Sequence, residues 1–133
     1  MLRGGDEPIY LTLVDVLLLY AELFEVGVAD ARAQLRDAAP LESALDHARA
    51  HTTYENADLV TAAAVLAHGV ADGEAFVEGN LRIALVVMLT FLEANGLGVR
   101  AADGELAEWI VDHAAGASAR LANRLKARTY SLG

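Results

Sequence analysis

Residues 74–94 read EAFVEGNLRIALVVMLTFLEA, and this stretch decides the fold. From Asn80 to Ala94 it is apolar on nearly every side, the pattern of a helix buried in the middle of a bundle. Asn95-Gly96 closes that helix as a C-cap. Before it, Glu74 to Gly79 is a short loop, set off from the preceding helix by Asp72-Gly73. The loop places an acid, a glycine and an asparagine directly before the buried helix, with Arg82 in its first turn.

Outward from this centre the patterns are helical throughout. Thr12 followed by Asp15 reads as a capping-box start. Leu13, Val16, Leu17, Tyr20, Leu23 and Phe24 then recur at helical spacing until Gly27. Val28 to Ala39 is polar, alanine-rich and ambiguous. Pro40 opens the next helix, which carries Leu41, Ala44, Leu45 and Ala48 and ends near His51. Thr52 to Asn56 is a connector, and Asp58 N-caps an alanine-rich helix running to about Ala71. After the central helix, Gly104 to Ala114 forms an amphipathic helix around Leu106, Trp109 and Ile110. Gly116 stops it, and Ser118 caps a last helix carrying Leu121 and Leu125. Met1 to Leu11 reads as an extended or frayed lead-in. The ends, Met1 to Asp6 and Arg128 to Gly133, lack periodic apolar anchors and read as dispensable. No strand pattern survives counting, although Gly98 to Ala102 is short enough to be briefly extended. The expectation is an all-α fold, a compact bundle around a buried central helix, with residues 1–133 forming a single domain.

Composition narrows the chemistry. At 133 residues and 55% hydrophobic, the chain has ample material for one core. It has no cysteine, which excludes disulfides, zinc–thiolate sites and thiol nucleophiles. Ten Lys and Arg stand against nineteen Asp and Glu, a formal net charge of −9, so the surface repels nucleic acid and anionic lipid. The longest apolar run, Ile83 to Leu92, is about half a membrane span. Met1 to Ile9 has no apolar signal-peptide core. The expected setting is cytoplasmic, with neither nucleic acid nor membrane as partner.

The loop carries the chemistry. The first N–H groups of a helix have no internal partner, and the helix dipole is positive there. Gly79 lets the backbone approach a phosphate closely. Arg82 can add bidentate hydrogen bonds to phosphate oxygens. Glu78 can hold magnesium, which takes one or two carboxylates with phosphate oxygens and waters. Together these make a phosphoanion cradle. On the residues alone an ordinary turn, with Arg82 paired to Glu78 at i,i+4, is equally compatible.

The loop resembles the signature of the Fic family, and most closely its death-on-curing (Doc) branch, His-Pro-Phe-x-Asp-Gly-Asn-Lys-Arg. Tyr10-Leu11-Thr12-Leu13 with Asp15-Val16-Leu17, Arg36-Asp37 with Leu41-Glu42-Ser43-Ala44-Leu45, and Phe91-Leu92-Glu93-Ala94-Asn95-Gly96 resemble further blocks of that branch in the same order. The resemblance implies a Fic-type helical fold and transfer of part of a nucleotide triphosphate such as ATP to a protein hydroxyl, as AMP in Fic proteins and as phosphate in Doc proteins. It implies a toxin–antitoxin setting, with a small Phd-type antitoxin and elongation factor Tu as target. Residue by residue, Phe76 matches the loop anchor, Glu78 the magnesium-binding acid, Gly79 and Asn80 the anion cradle, and Arg82 the phosphate-binding arginine.

Three positions depart from the signature. Glu74 stands at the catalytic position where the family has a histidine base, Ala75 replaces proline, and Leu81 replaces glycine or lysine. A glutamate is ordinarily about two pKa units less basic than a histidine, roughly 2.7 kcal/mol if fully felt. It also brings a second negative charge to the phosphates. The expectation is therefore transfer activity that is weak or altered. The alternative is a catalytically inactive Fic-fold binding or regulatory module. Some Fic proteins carry an inhibitory Ser or Thr followed four residues later by Glu, and no Ser or Thr here has Glu at that offset. His47 and His51 share a helix face but read as solvent-facing. His68 reads as structural and Trp109 as core or interface. The serines have no neighbouring His and Asp in a nucleophile elbow.

Overall fold

The computed structural model describes residues 8–53, 59–112 and 115–133. These form α1 (Leu13–Phe24), α2 (Val28–Gln34), α3 (Ala38–Thr53), α4 (Leu59–Gly73), α5 (Asn80–Ala94), β1 (Leu97–Val99), α6 (Asp103–Ile110), α7 (Ala117–Lys126) and β2 (Thr129–Ser131). The all-α reading holds, because the two strands make only a three-residue antiparallel ribbon with Gly98 opposite Tyr130.

Helix α5 is the centre, as its apolar surface requires. Ile83, Ala84, Val87, Met88, Phe91 and Leu92 are all buried. Helix α4 lies alongside it and also meets α3 and α7. Small side chains make that position possible. Ala62, Ala63, Ala64 and Ala67 are fully buried, and a Cβ on Gly69 would stand 2.7 Å from the Cβ of Ala44 on α3. Val16, Leu17 and Tyr20 of α1 complete the core on one side, and Leu106 and Ile110 of α6 on the other. Among the described residues no helix is long and apolar enough to cross a membrane.

The start of α1 forms as its capping box dictates. The Thr12 hydroxyl accepts from Asp15 N–H at 3.2 Å, and the Asp15 carboxylate accepts from Thr12 N–H at 2.8 Å. Its end comes earlier than Gly27, at a left-handed Glu25, and Gly27 instead precedes α2. The ambiguous segment is thus a short helix with one buried residue, Ala31. Helix α3 begins at Ala38, where the Asp37 carboxylate accepts from Ala39 N–H at 3.0 Å, so Pro40 lies third in the helix rather than first.

Three other boundaries move. Asp72 and Gly73 belong to α4, and the break falls at Glu74. Helix α6 stops at Ile110, and α7 is preceded by left-handed Gly116 rather than capped by Ser118. Ser118 is used across the chain instead, its hydroxyl 2.7 Å from Nδ1 of buried His68. The C-terminal end is docked, contrary to the sequence expectation. Strand β2 pairs with β1, Arg100 N–H donates to Arg128 O at 2.8 Å, and Leu132 N–H donates to Gly96 O at 2.9 Å. Backbone pairing supplies this anchor, so no apolar period announces it. The expected N-cap Asp58 and the extreme N-terminal residues lie outside the described residues.

Candidate functional site

The loop between α4 and α5 is built on a frame of long-range contacts. Helix α4 ends because Glu74 takes a left-handed backbone, φ +48°. That conformation is open to it because residue 75 is alanine: a proline there restricts the residue before it to extended backbone. The carbonyl of Glu74 accepts from Arg36 Nη2 at 2.6 Å. The Ala75 carbonyl accepts from both Arg36 N–H, at 2.7 Å, and Asp37 N–H, at 3.1 Å. Val77 N–H donates to Gln34 O at 2.8 Å, which completes an isolated antiparallel bridge between Leu35 and Phe76. The segment that the sequence left ambiguous therefore holds the loop.

Phe76 fixes it from below. Its side chain is 1% exposed and stacks on Tyr20, with ring centroids 4.2 Å apart. The Tyr20 hydroxyl donates to the Glu78 carbonyl at 3.1 Å. Burial, and secondarily the Glu78 charge, raise the Tyr20 phenol above its ordinary pKa, so it stays a neutral donor. Asn80 closes the loop on itself. Its Oδ1 accepts from Phe76 N–H at 3.1 Å, and its Nδ2 donates to Phe76 O at 3.0 Å. The Asn80 side chain thus fixes the loop's shape, while its backbone N–H belongs to the first turn of α5.

Gly79 is left-handed, φ +80°, and the right-handed helix follows at once. This alternation of hand turns successive N–H groups to one side, the arrangement of an anion nest. No side chain caps the N-terminus of α5. The left-handed backbone and the packing both demand glycine: a Cβ at 79 would stand 2.4 Å from Cζ of Phe24. Arg82 lies over the other part of this platform, its guanidinium carbon 4.8 Å from the centre of the Phe24 ring. It therefore stacks on an aromatic face instead of pairing with Glu78 as the ordinary-turn reading expects. A guanidinium held over an aromatic ring can still donate through its N–H groups.

The structure brings Phe76, Gly79, Asn80 and Arg82 together on one loop and helix start. The side chains of Glu74 and Glu78 are exposed on the same loop. Sequence reasoning missed Tyr20 and Phe24, which read as core positions of α1, and Gln34 and Arg36, whose only signal was the Arg36-Asp37 resemblance. Among the described residues no group of three or more His, Asp or Glu side chains is placed to hold a metal ion. His68, 8% exposed and bonded to Ser118, has the structural role expected of it. His47 is exposed and His51 half-buried. Trp109 is half-buried beneath the guanidinium groups of Arg128, at 5.4 Å, and Arg124, at 5.9 Å. His113 lies outside the described residues.

This geometry agrees with an independent comparison: the family model described as Fic/DOC family matches residues 10–92. The chain belongs to the Fic/DOC family. The match runs from the residues leading into α1 through most of α5, so it includes both the loop and the α1 and α2 elements that frame it. No curated protein and no solved structure matches this Fic/DOC-family chain. Its fold is accordingly that of a Fic-type domain, a class that is generally nucleotide-transferring or regulatory.

Proposed function

We propose that this Fic/DOC chain binds the phosphates of a nucleotide triphosphate, ATP in the first instance, at the start of α5, and that any transfer of a phosphate or AMP group to a protein hydroxyl is weak or altered. The observation that carries this reading is the uncapped N-terminus of α5, with left-handed Gly79 before it and Arg82 beside it. Backbone N–H groups and the helix dipole attract anions there, and Arg82 and Arg36 supply local positive charge in an otherwise acidic chain. Glu78 fits magnesium, since that ion needs only one or two protein carboxylates and takes its other ligands from phosphates and water. When bound, magnesium would neutralise charge on the phosphate oxygens. Glu78 would hold it, the α5 N–H groups would hold the phosphates, and Phe76, Tyr20 and Asn80 would keep the loop rigid.

In the transfer, the target hydroxyl oxygen forms a bond to phosphorus. ADP leaves if phosphate moves, or pyrophosphate if AMP moves, and the hydroxyl proton passes to a base. Glu74 occupies the family's base position, but its side chain is exposed and its backbone is the left-handed cap of α4. The missing histidine is the specific observation that favours the second reading, a Fic-fold module that binds nucleotide and regulates a partner without transfer. The Doc branch, a Phd-type antitoxin, elongation factor Tu as target and a cytoplasmic setting belong to the first reading by resemblance.

Calorimetric titration with ATP and magnesium, paired with labelled-ATP transfer to a bacterial lysate, tests both readings. ATP binding that weakens in Glu78→Ala at fixed magnesium supports the cradle, and equal affinity in the two proteins refutes the role of Glu78. Glu74→His is compared alone and with Ala75→Pro, because proline would also displace the left-handed backbone at 74. A positioned base contributes about 10²–10⁴-fold, so restored transfer would be plain. Strong transfer by the native chain that Glu74→Ala abolishes would instead make Glu74 the working base.

A further inference from the structure

The far side of the molecule carries a charge pattern that the nucleotide site does not use. Five of the chain's ten basic residues, Arg100, Arg120, Arg124, Lys126 and Arg128, fall between positions 100 and 128. Only four of its nineteen acids, Asp103, Glu105, Glu108 and Asp112, fall in the same span. The pattern is concentrated around the β1–β2 ribbon. Arg100 lies over the Tyr130 ring at 4.7 Å, and Arg124 and Arg128 lie over Trp109. Alternation along a strand puts Arg128, Tyr130 and Leu132 on one face of the ribbon. Tyr130 is 37% exposed and Leu132 49%.

The register shows which backbone groups are spent. Arg100 N–H donates to Arg128 O and Leu132 N–H to Gly96 O, so the even-numbered residues of this end face β1. The N–H and C=O groups of Thr129 and Ser131 therefore point away from β1. Strand β2 has β1 as its sole strand partner among the described residues. An edge of this kind is a template for another chain.

We propose that the outer edge of β2 is a docking site for an extended acidic segment of a partner protein, which adds as a third strand. Its backbone would pair with Thr129 and Ser131. Its side chains on the Arg128 face would fall beside Arg128, Tyr130 and Leu132 in turn, so the fitting pattern is a carboxylate followed by apolar residues two and four positions away. Charge complementarity selects this occupant. Arg100 and Arg124 meet the carboxylate together with Arg128, whose contacts to exposed Glu105 are long, at 3.5 Å, and would be shared with it, while the remainder of this acidic chain opposes a long polyanion such as nucleic acid. Tyr130 and Leu132 also line a cleft of about 380 Å³ with Leu89, Val99 and Leu106, which has room for an apolar side chain; Glu93 and Asp103 line it too, so the segment's carboxylate belongs at the Arg128 end and not here.

The test is fluorescence anisotropy of the full chain with a labelled peptide, Glu-Thr-Val-Thr-Val-Thr-Glu, whose two terminal acids serve either strand direction. The comparison probes are the same peptide with Lys for Glu and a short oligothymidylate. The Glu peptide is expected to bind saturably, at least about tenfold more tightly than the Lys peptide, with affinity falling as salt is raised. Ser131→Pro is expected to weaken it about tenfold, because proline removes an outward N–H without touching the bonds to β1. Arg128→Gln is expected to bring the two peptides to similar affinity, and Ser131→Pro stands independently of it should Arg128→Gln lower stability. No saturable binding at about 1 mM, equal binding of the Glu and Lys peptides, or binding unchanged by Ser131→Pro would overturn the proposal. Tighter binding of oligothymidylate than of the Glu peptide would overturn it in favour of a nucleic-acid patch.

Discussion

Gly79→Ala is expected to destabilise the protein well beyond a change of backbone preference, and Gly116→Ala supplies the comparison. Both glycines immediately precede a helix, and both are left-handed, at φ +80° and φ +77°. An alanine held in that region costs about 1–2 kcal/mol at either position. Their surroundings differ. A Cβ at 116 would meet only Arg120 Nη1, at an ordinary van der Waals distance of 3.6 Å, whereas a Cβ at 79 would overlap Phe24 Cζ at 2.4 Å and Cε2 at 2.9 Å. The ring has little freedom to retreat, since it packs against Tyr20 at 4.5 Å on one side and carries Arg82 at 4.8 Å. Relief of such an overlap typically costs about 1–3 kcal/mol. The expected loss is about 2–5 kcal/mol for Gly79→Ala and about 1–2 kcal/mol for Gly116→Ala. In a chain of this size that is a fall in Tm of about 8–20 °C against about 4–8 °C. Thermal melts followed by circular dichroism at 222 nm, without nucleotide, measure both. In a Phe24→Leu background the cost of Gly79→Ala should drop to that of Gly116→Ala. Equal Tm shifts for the two alanine variants, or an unchanged cost in the Phe24→Leu background, would refute the packing argument and leave only the backbone term.

Three further outcomes follow from the same contacts. Asn80→Ala removes both side-chain bonds to the Phe76 backbone and is expected to cost about 1–3 kcal/mol in denaturant unfolding, because two polar groups of a buried segment lose their partner. The raised pKa of Tyr20 implies stability that is fully present below the ordinary tyrosine value of about 10 and is lost as pH rises through the higher folded value; unfolding measured from pH 8 to 11 should show a smaller fall in Tyr20→Phe than in the native chain. Removal of residues 128–133 deletes β2 and is expected to lower Tm by several degrees, which differential scanning calorimetry would show.

How much of this was legible in the sequence depends on where each stabilising contact lies. Helix α5 and its loop could be read directly, since a run apolar on all sides has one comfortable place in a small helical domain. The capping box of α1 is local and was also plain. Helix α2 was not, because its segment buries only Ala31 and is held by Gln34, Arg36 and Asp37 bonding to a loop some forty residues on. Ser118 misled for a related reason: a residue type suited to capping is spent on His68, fifty residues away. The β1–β2 ribbon is three residues a side, too short to show a period of two, and its glycine face accepts Tyr130. At the site, Phe76 and Arg82 were visible from the loop itself. The Phe24 platform that positions Gly79 and Arg82 was not, since an aromatic at helical spacing on α1 signals only burial.

The contacts also separate the loop's shape from its chemistry. Tyr20, Phe24, Gln34, Asn80 and Phe76 fix the path of residues 75–80 without involving the side chain of Glu74. Gly79 is demanded by Phe24 whether or not a phosphate ever lies against it. These contacts therefore preserve the path of the loop whatever side chain stands at position 74. The residues that would distinguish a working enzyme are those the frame does not need. The Glu78 side chain is exposed and the hydrogen bond to Tyr20 uses its carbonyl, while Arg82 meets this frame through the Phe24 ring, so the carboxylate and the guanidinium N–H groups are not what holds the loop. Loss of nucleotide affinity in Glu78→Ala at unchanged Tm would assign that carboxylate to a ligand and not to the fold.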